Sequence, residues 1–359
     1  MFSDEGGNAL SSRETGVAPD EYLTKDSSGY LTLPIAVQRH VDSKRPPARF
    51  QRALTAGAPF SENQLIPAAR LARGSGGVRG GYRGRSHASS ASDDLGTEVV
   101  RLLQLTDTHL FADPGGRLLG QNTRKTFELV LDLVFARFWS VDRIVMTGDL
   151  VHDDHREGYQ YLKQRIADLD TPCSCLLGNH DRLRILADTL GGSGISFASS
   201  VYCGGWKIVF LDSSVPGSDR GHLHRDQLDE LEETLRARRQ THTLICLHHQ
   251  PVRVGSAWLD SMALDNAAEF FAIIDRHPQA RGIVFGHVHQ DYRAFRRDVL
   301  LLAAPSTCIQ FKPRSDLFAL DPRTPGFRWF ELYPDGRIST GVERITAYPD
   351  RLDLTAQGY

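Results

Sequence analysis

The chain reads as a mixed α/β protein in which two packed sheets are flanked by helices, and two patterns predict it. Between Val99 and Leu190, short apolar runs alternate with stretches of helical spacing, as parallel strands joined by crossover helices require. Beyond Leu190 the style changes: Val201-Tyr202-Cys203, Gly204-Gly205 and then residues 206–211 read as a hairpin, which a simple doubly wound sheet does not need.

Residues 1–97 are rich in Gly, Ser, Ala and Arg and include Gly74-Ser75-Gly76-Gly77-Val78-Arg79-Gly80-Gly81-Tyr82-Arg83-Gly84-Arg85. Such a segment buries too little apolar surface to offset the entropy of ordering it, so a low-complexity, disordered extension is expected there. Its Arg-Gly stretch has the composition of an RNA contact, but no recognisable module accompanies it. A passive tail, or a translation start assigned too far upstream, explains it as well. Residues 98–359 form the expected folded domain.

Within that domain, residues 99–105 are a short apolar strand and residues 122–138 a helix. Strands follow at 143–146 and 173–177, separated by a helix at 156–169. The run Leu176-Leu177-Gly178-Asn179-His180-Asp181 is a buried strand stopping at a glycine, with Asp181 a candidate cap for a helix at 182–190. Residues 226–239 form a helix, acidic early and Arg-rich late, as the helix dipole favours. Strands at 244–247 and 282–285 both end in histidines. The tail adds strands at 299–303, 327–333 and 338–343, the last two joined by a turn at Asp335-Gly336.

Composition narrows the function classes. A net charge of −2 implies no general affinity for nucleic acid or membrane. No apolar run reaches the ~18 residues of a membrane span, and Met1-Phe2-Ser3-Asp4-Glu5 lacks the basic and apolar regions of a signal peptide. A soluble, cytoplasmic protein without a membrane partner is expected. The odd set of cysteines, Cys173, Cys175, Cys203, Cys246 and Cys308, suits buried reduced thiols; Cys173 and Cys175 have no second pair with which to build a thiolate metal site.

The polar residues at the strand ends are those of a metal site. Asp107 and His109 follow the first apolar run, Asp149 the second, Asn179 and His180 the third, His248 and His249 the fourth, His287 and His289 the fifth. Carboxylates and imidazoles suit divalent first-row metals, and one Asp can bridge two ions through its two oxygens. Asp149, after a central strand, is the candidate bridge. Asp107, His109 and a distant histidine would complete one site, and Asn179 with two more histidines the other. Coordination can bring the pKa of water from about 15.7 to near 7, so a metal-bound hydroxide is the expected nucleophile and no Ser or Cys is needed. His180 is then the candidate to supply a proton to the leaving oxygen.

With these residues in hand, the chain resembles the calcineurin-like metallophosphoesterase superfamily. The motifs are Asp107-Thr108-His109, Gly148-Asp149, Gly178-Asn179-His180-Asp181, His248-His249 and Gly286-His287-Val288-His289, and none is missing. The resemblance covers about residues 98–359, which it marks as a metallophosphoesterase catalytic domain, and implies a four-layer αββα sandwich with a dinuclear centre. By motif position, Asp107, His109, Asp149 and His289 would hold one ion and Asp149, Asn179, His248 and His287 the other, His249 being the alternative to His248. Asn179, His180 and His289 would also meet the substrate. The ions would be drawn from Fe, Mn, Zn or Co.

The chain is also similar to one branch, the bacterial class III cyclic AMP phosphodiesterases. Leu103-Gln104-Leu105-Thr106-Asp107-Thr108-His109-Leu110-Phe111, Ser256-Ala257-Trp258-Leu259-Asp260 and Pro305-Ser306-Thr307-Cys308-Ile309-Gln310-Phe311-Lys312-Pro313 carry that likeness. Gln250, where the branch has His or Pro, and the long extension depart from it. The branch implies hydrolysis of 3′,5′-cyclic AMP to 5′-AMP. Its rivals are another phosphodiester or phosphomonoester (a nucleotide, a lipid precursor or a phosphoprotein) and a non-catalytic scaffold on the same fold. Trp258 is a candidate either to stack on an adenine or to pack within a cover loop.

Overall fold

A computed structural model describes residues 98–137, 140–191 and 194–358, with the backbone of two short strands, Thr24–Lys25 and Leu31–Thr32. One sheet has the order Ile338–Arg344, Gly326–Leu332, Val100–Leu105, Arg143–Thr147, Cys173–Leu176, Ile195–Ser196. Its last four strands are parallel, and Gly326–Leu332 pairs antiparallel with Val100–Leu105. The other sheet runs Thr24–Lys25, Leu31–Thr32, Tyr292–Arg296, Val299–Ala303, Ala280–Phe285, His242–Leu247, Trp206–Phe210, Ser200–Cys203. There the parallel strands are Val299–Ala303, Ala280–Phe285, His242–Leu247 and Trp206–Phe210.

Strand side chains alternate, so a strand with both faces buried must be apolar at nearly every position. Leu103, Leu105, Ile144 and Met146 turn outward onto Phe127, Leu131, Tyr159 and Leu162 of the helices Thr123–Arg137 and Arg156–Ala167. Their neighbours Leu102 and Val145 turn inward, against Ile208, Leu244, Cys246 and Val284 of the second sheet. On that sheet's far face, Ile245, Leu247, Ile283 and Phe285 meet Leu228, Leu231, Phe270 and Ile274 of the helices Arg225–Ala237 and Ala267–Ile274. Helix, sheet, sheet, helix are the four layers of the expected αββα sandwich.

The antiparallel pair Ser200–Cys203 and Trp206–Phe210 is the hairpin expected around Gly204-Gly205. All five cysteines are free, and only Cys203 is not fully buried. No helix among the described residues is long and apolar enough to cross a membrane. Two short strands of the extension are described. Thr24–Lys25 and Leu31–Thr32 pair with each other, and the second of them adds to the edge strand Tyr292–Arg296 at Ala294 and Phe295. The remainder of residues 1–97, including the Arg-Gly stretch, lies outside the described residues.

Candidate metal centre

Every strand-end cluster singled out in the sequence follows a parallel strand, at its carboxyl end. Backbone bonds tie the loops together. The Asp107 amide donates to the Gly148 carbonyl at 3.0 Å, the His109 amide to Asp149 at 3.0 Å, and the Gly286 amide to His248 at 3.0 Å. Asp107, His109, Asp149, His287 and His289 all hold positive φ, between 43° and 65°. That region is uncommon for any residue but Gly and costs about 1–3 kcal/mol each, so packing elsewhere must impose it. Gly178 has no room for a side chain, because a Cβ there would overlap the Asp149 carboxylate.

The side chains converge. Asp149 Oδ1 accepts the backbone N–H of His180 at 2.9 Å, which leaves Oδ2 facing His109 Nε2 at 3.6 Å and His248 Nε2 at 3.3 Å. Asp149 Oδ2 thus stands between the two ligand sets, in the position expected of the shared carboxylate. His289 Nε2 lies 3.2 Å from His109 Nε2 and 3.6 Å from Asp107 Oδ1. Asn179 Oδ1 is 3.1 Å from both His248 Nε2 and His287 Nδ1. Candidate ligand atoms of Asp107, His109 and His289 lie within 4.8 Å of one another, as do those of Asp107, Asp149 and His248, and those of His248, His249 and His287.

Burial sets the electrostatics. It pushes Asp107 up to about 7, with His248 opposing and the Asp149 charge adding. Asp149 is equally buried, yet the neighbouring His248 holds it well below the usual carboxylate range. Burial would lower His248, but Asp149 and Asp107 raise it to about 9. Burial brings His289 down to about 3 and lowers His109 and His287 as well, which keeps these imidazoles neutral, the form that ligates.

The donor set fits divalent cations. Asp107 Oδ2 is buried without a hydrogen-bond partner. His289 Nδ1 donates to the Ile309 carbonyl at 2.9 Å, so its Nε2 turns a lone pair toward His109 Nε2, an approach that a cation relieves. His248 Nδ1 donates to the Thr147 carbonyl at 2.8 Å and likewise presents Nε2 to the centre. His249 instead directs Nδ1 to Ser213 Oγ, 2.8 Å away.

Three supports were not legible as functional residues. Ser306 Oγ donates to the Asp107 carbonyl at 2.7 Å, and Ile309 orients His289 by a backbone oxygen that no motif records. His152, three residues beyond Asp149, has Nδ1 3.1 Å from His109 Nδ1; a histidine so close to the Gly148-Asp149 pair was the available signal. Asp181 needs a correction. The helix Leu183–Leu190 has Arg182 at its N-cap with no side-chain cap bond, and the Asp181 carboxylate instead accepts the amides of Leu150, Val151 and Gly178.

Trp258 packs edge-on against Phe311 and Phe318, with centroids 4.9 and 5.2 Å away, and Phe311 stacks on His289 at 4.1 Å. Such packing agrees with a place in a cover loop. Gln250 is buried and donates to the Leu259 carbonyl at 2.7 Å, which pins the same loop.

A four-layer sandwich with carboxylate and imidazole clusters at its strand ends defines a metallophosphoesterase. Residues 100–291 match the calcineurin-like phosphoesterase pattern, and the chain belongs to that family, whose members use a dinuclear divalent metal centre. It is 41% identical to the 3′,5′-cyclic adenosine monophosphate phosphodiesterase CpdA of Vibrio vulnificus, over 75% of this chain and 99% of that protein. It is 40% identical to CpdA of Escherichia coli K12, over 74% of this chain and 96% of that one. Among solved structures, GAP50, the anchor in the inner membrane complex of Plasmodium, shares the fold, with a TM-score of 0.52 and 14% identity over 71% of this chain and 86% of that one.

Proposed function

We propose that the chain is a dinuclear-metal phosphodiesterase that hydrolyses 3′,5′-cyclic AMP to 5′-AMP. The observation that carries this is a joint one: the ligand-type side chains and His180 meet at one end of the sandwich, in a chain aligned over nearly the full length of proteins named cyclic AMP phosphodiesterases. In the proposed assignment, Asp107, His109, Asp149 and His289 would hold one ion, and Asp149, Asn179, His248 and His287 the other. His248 is preferred to His249 because its Nε2 faces both Asp149 and Asn179. The mixture of carboxylate, imidazole and amide donors accepts Fe, Mn, Zn or Co. When bound, such a pair supplies an activated water and offsets the charge of a phosphoryl transition state.

The chain's own residues do the rest. Asn179 and His180 are half-buried, whereas Asp107, His109, Asp149 and His248 are fully buried, so the former are the side of the cluster that a phosphate would reach first. With His289, they are the proposed substrate contacts. His180 is tethered through its backbone to Asp149 Oδ1, and its ring meets His109 edge-on at 4.9 Å. We assign it to protonate O3′ as the P–O3′ bond breaks. The ligand is a small cyclic nucleotide, and the proposed compartment is the cytoplasm, in keeping with the free thiols.

The test is to purify the full chain, determine its metal content, and assay cyclic AMP beside simple aryl phosphodiesters and phosphomonoesters. The expected result is about two ions per chain and 5′-AMP as product. Cleavage of aryl diesters without cyclic AMP turnover would replace the substrate, and a metal-loaded chain inert toward every ester would reduce the protein to a scaffold.

A further inference from the structure

We infer that His152 is a positioning residue that serves two members of the centre at once, accepting the Nδ1 proton of His109 and backing the ring of His180. This rests on the proposed function, in which His109 holds an ion and His180 delivers a proton.

His152 Nδ1 and His109 Nδ1 are 3.1 Å apart, a separation that calls for one proton between them. The other nitrogen of His109, Nε2, faces His289 Nε2 at 3.2 Å and Asp149 Oδ2 at 3.6 Å, the side on which an ion would be held. Nε2 must therefore present a lone pair, and the His109 proton stays on Nδ1. His152 Nδ1 is the acceptor, and the proton of His152 sits on its own Nε2. A ligating histidine commonly donates its second N–H to a fixed partner, and here that partner is another imidazole.

The second contact is ring to ring. His152 stacks on His180 with centroids 4.9 Å apart and planes 22° from parallel. Since His109 meets the same ring edge-on at 4.9 Å, His180 is bounded from two directions. His152 is itself held in place: Phe111 lies 4.8 Å from its ring, and its backbone N–H donates to the Leu110 carbonyl at 2.9 Å.

Two variants separate the roles. His152→Asn keeps an acceptor near the position of Nδ1 and removes the stacked ring; His152→Phe keeps a ring and removes the acceptor. The experiment measures metal affinity by titration of the stripped chain, together with kcat and KM for cyclic AMP, on folded wild type and both variants. For His152→Phe the expected result is a loss of metal affinity of about 10–100-fold. For His152→Asn it is near wild-type affinity with kcat lowered about tenfold at unchanged KM. Wild-type metal affinity and kcat in both variants would overturn the inference. A wild-type chain that takes up metal but spares cyclic AMP would revise the proposed substrate, while the affinity arm would still decide whether His152 supports His109. A wild-type chain that takes up no metal would overturn both.

Discussion

Both carboxylate oxygens of Asp181 stand 3.1 Å from the backbone nitrogen of Leu150, the residue that follows Asp149. Oδ1 also accepts the Val151 amide at 3.3 Å and the Tyr159 hydroxyl at 2.9 Å, and Oδ2 the Gly178 amide at 3.0 Å. One side chain from the third loop thus fixes the second. Asp181→Ala should leave buried amides unpaired at about 1–3 kcal/mol each, lowering unfolding free energy by several kcal/mol and weakening metal retention. Urea denaturation and metal analysis of the variant check both.

Asp149→Ala and His180→Ala should fail differently. The first removes the carboxylate that faces both ligand sets, so the chain should lose its metal and all turnover. The second should keep its metal and lose about 10²–10⁴ in kcat. Metal content and turnover measured on the same preparations distinguish them, and near-normal activity in either contradicts the assigned role.

Gly178→Ala should damage the centre through shape alone. Its Cβ would drive into Asp149, an overpacking that typically costs about 1–3 kcal/mol. The expected variant is folded by circular dichroism but depleted in metal. Full occupancy would mean that the loop yields more easily than its packing implies.

Removal of metal should lower thermal stability. An ion present at about a thousand times its dissociation constant stabilises by about 4 kcal/mol, which for a domain of this size is on the order of 10 °C. Thermal scans before and after chelation measure the shift, and an unchanged Tm would argue against occupancy.

His242 allows a pH prediction away from the centre. Burial lowers its pKa from the ordinary 6.5, and the positive charge of Arg281 adds to that. The unfolded chain therefore binds this proton more readily than the folded one, so stability is lost as pH falls below about 6.5, down to the lowered folded value. Denaturation at pH 7.5 and 5.5 should show a smaller acid loss in His242→Gln than in wild type. Equal losses would refute the assignment.

The strand ends are legible because a buried parallel strand needs an apolar side chain at nearly every position, and Leu105, Met146, Leu177, Leu247 and Phe285 announce where each run stops. The ligand motifs are legible because metals demand particular side chains directly after those stops. Support that passes through the main chain leaves no such mark: the Ile309 carbonyl on His289 and the amides on Asp181 could belong to any residue type. The helix Ala267–Ile274 is obscured for another reason, since the apolar run through Phe270, Phe271, Ile273 and Ile274 blurs the helical period. The edge strand Tyr292–Arg296 is obscured by its arginines.

The left-handed backbone at Asp107, His109, Asp149, His287 and His289 has a consequence for how the protein is charged with metal. Amide ties at Asp107, His109 and Gly286 hold the loops that carry those conformations, so the shape of the cradle is written into the main chain. Stripping the ions should leave a vessel of the same shape, and refilling it with a different element should require no refolding step.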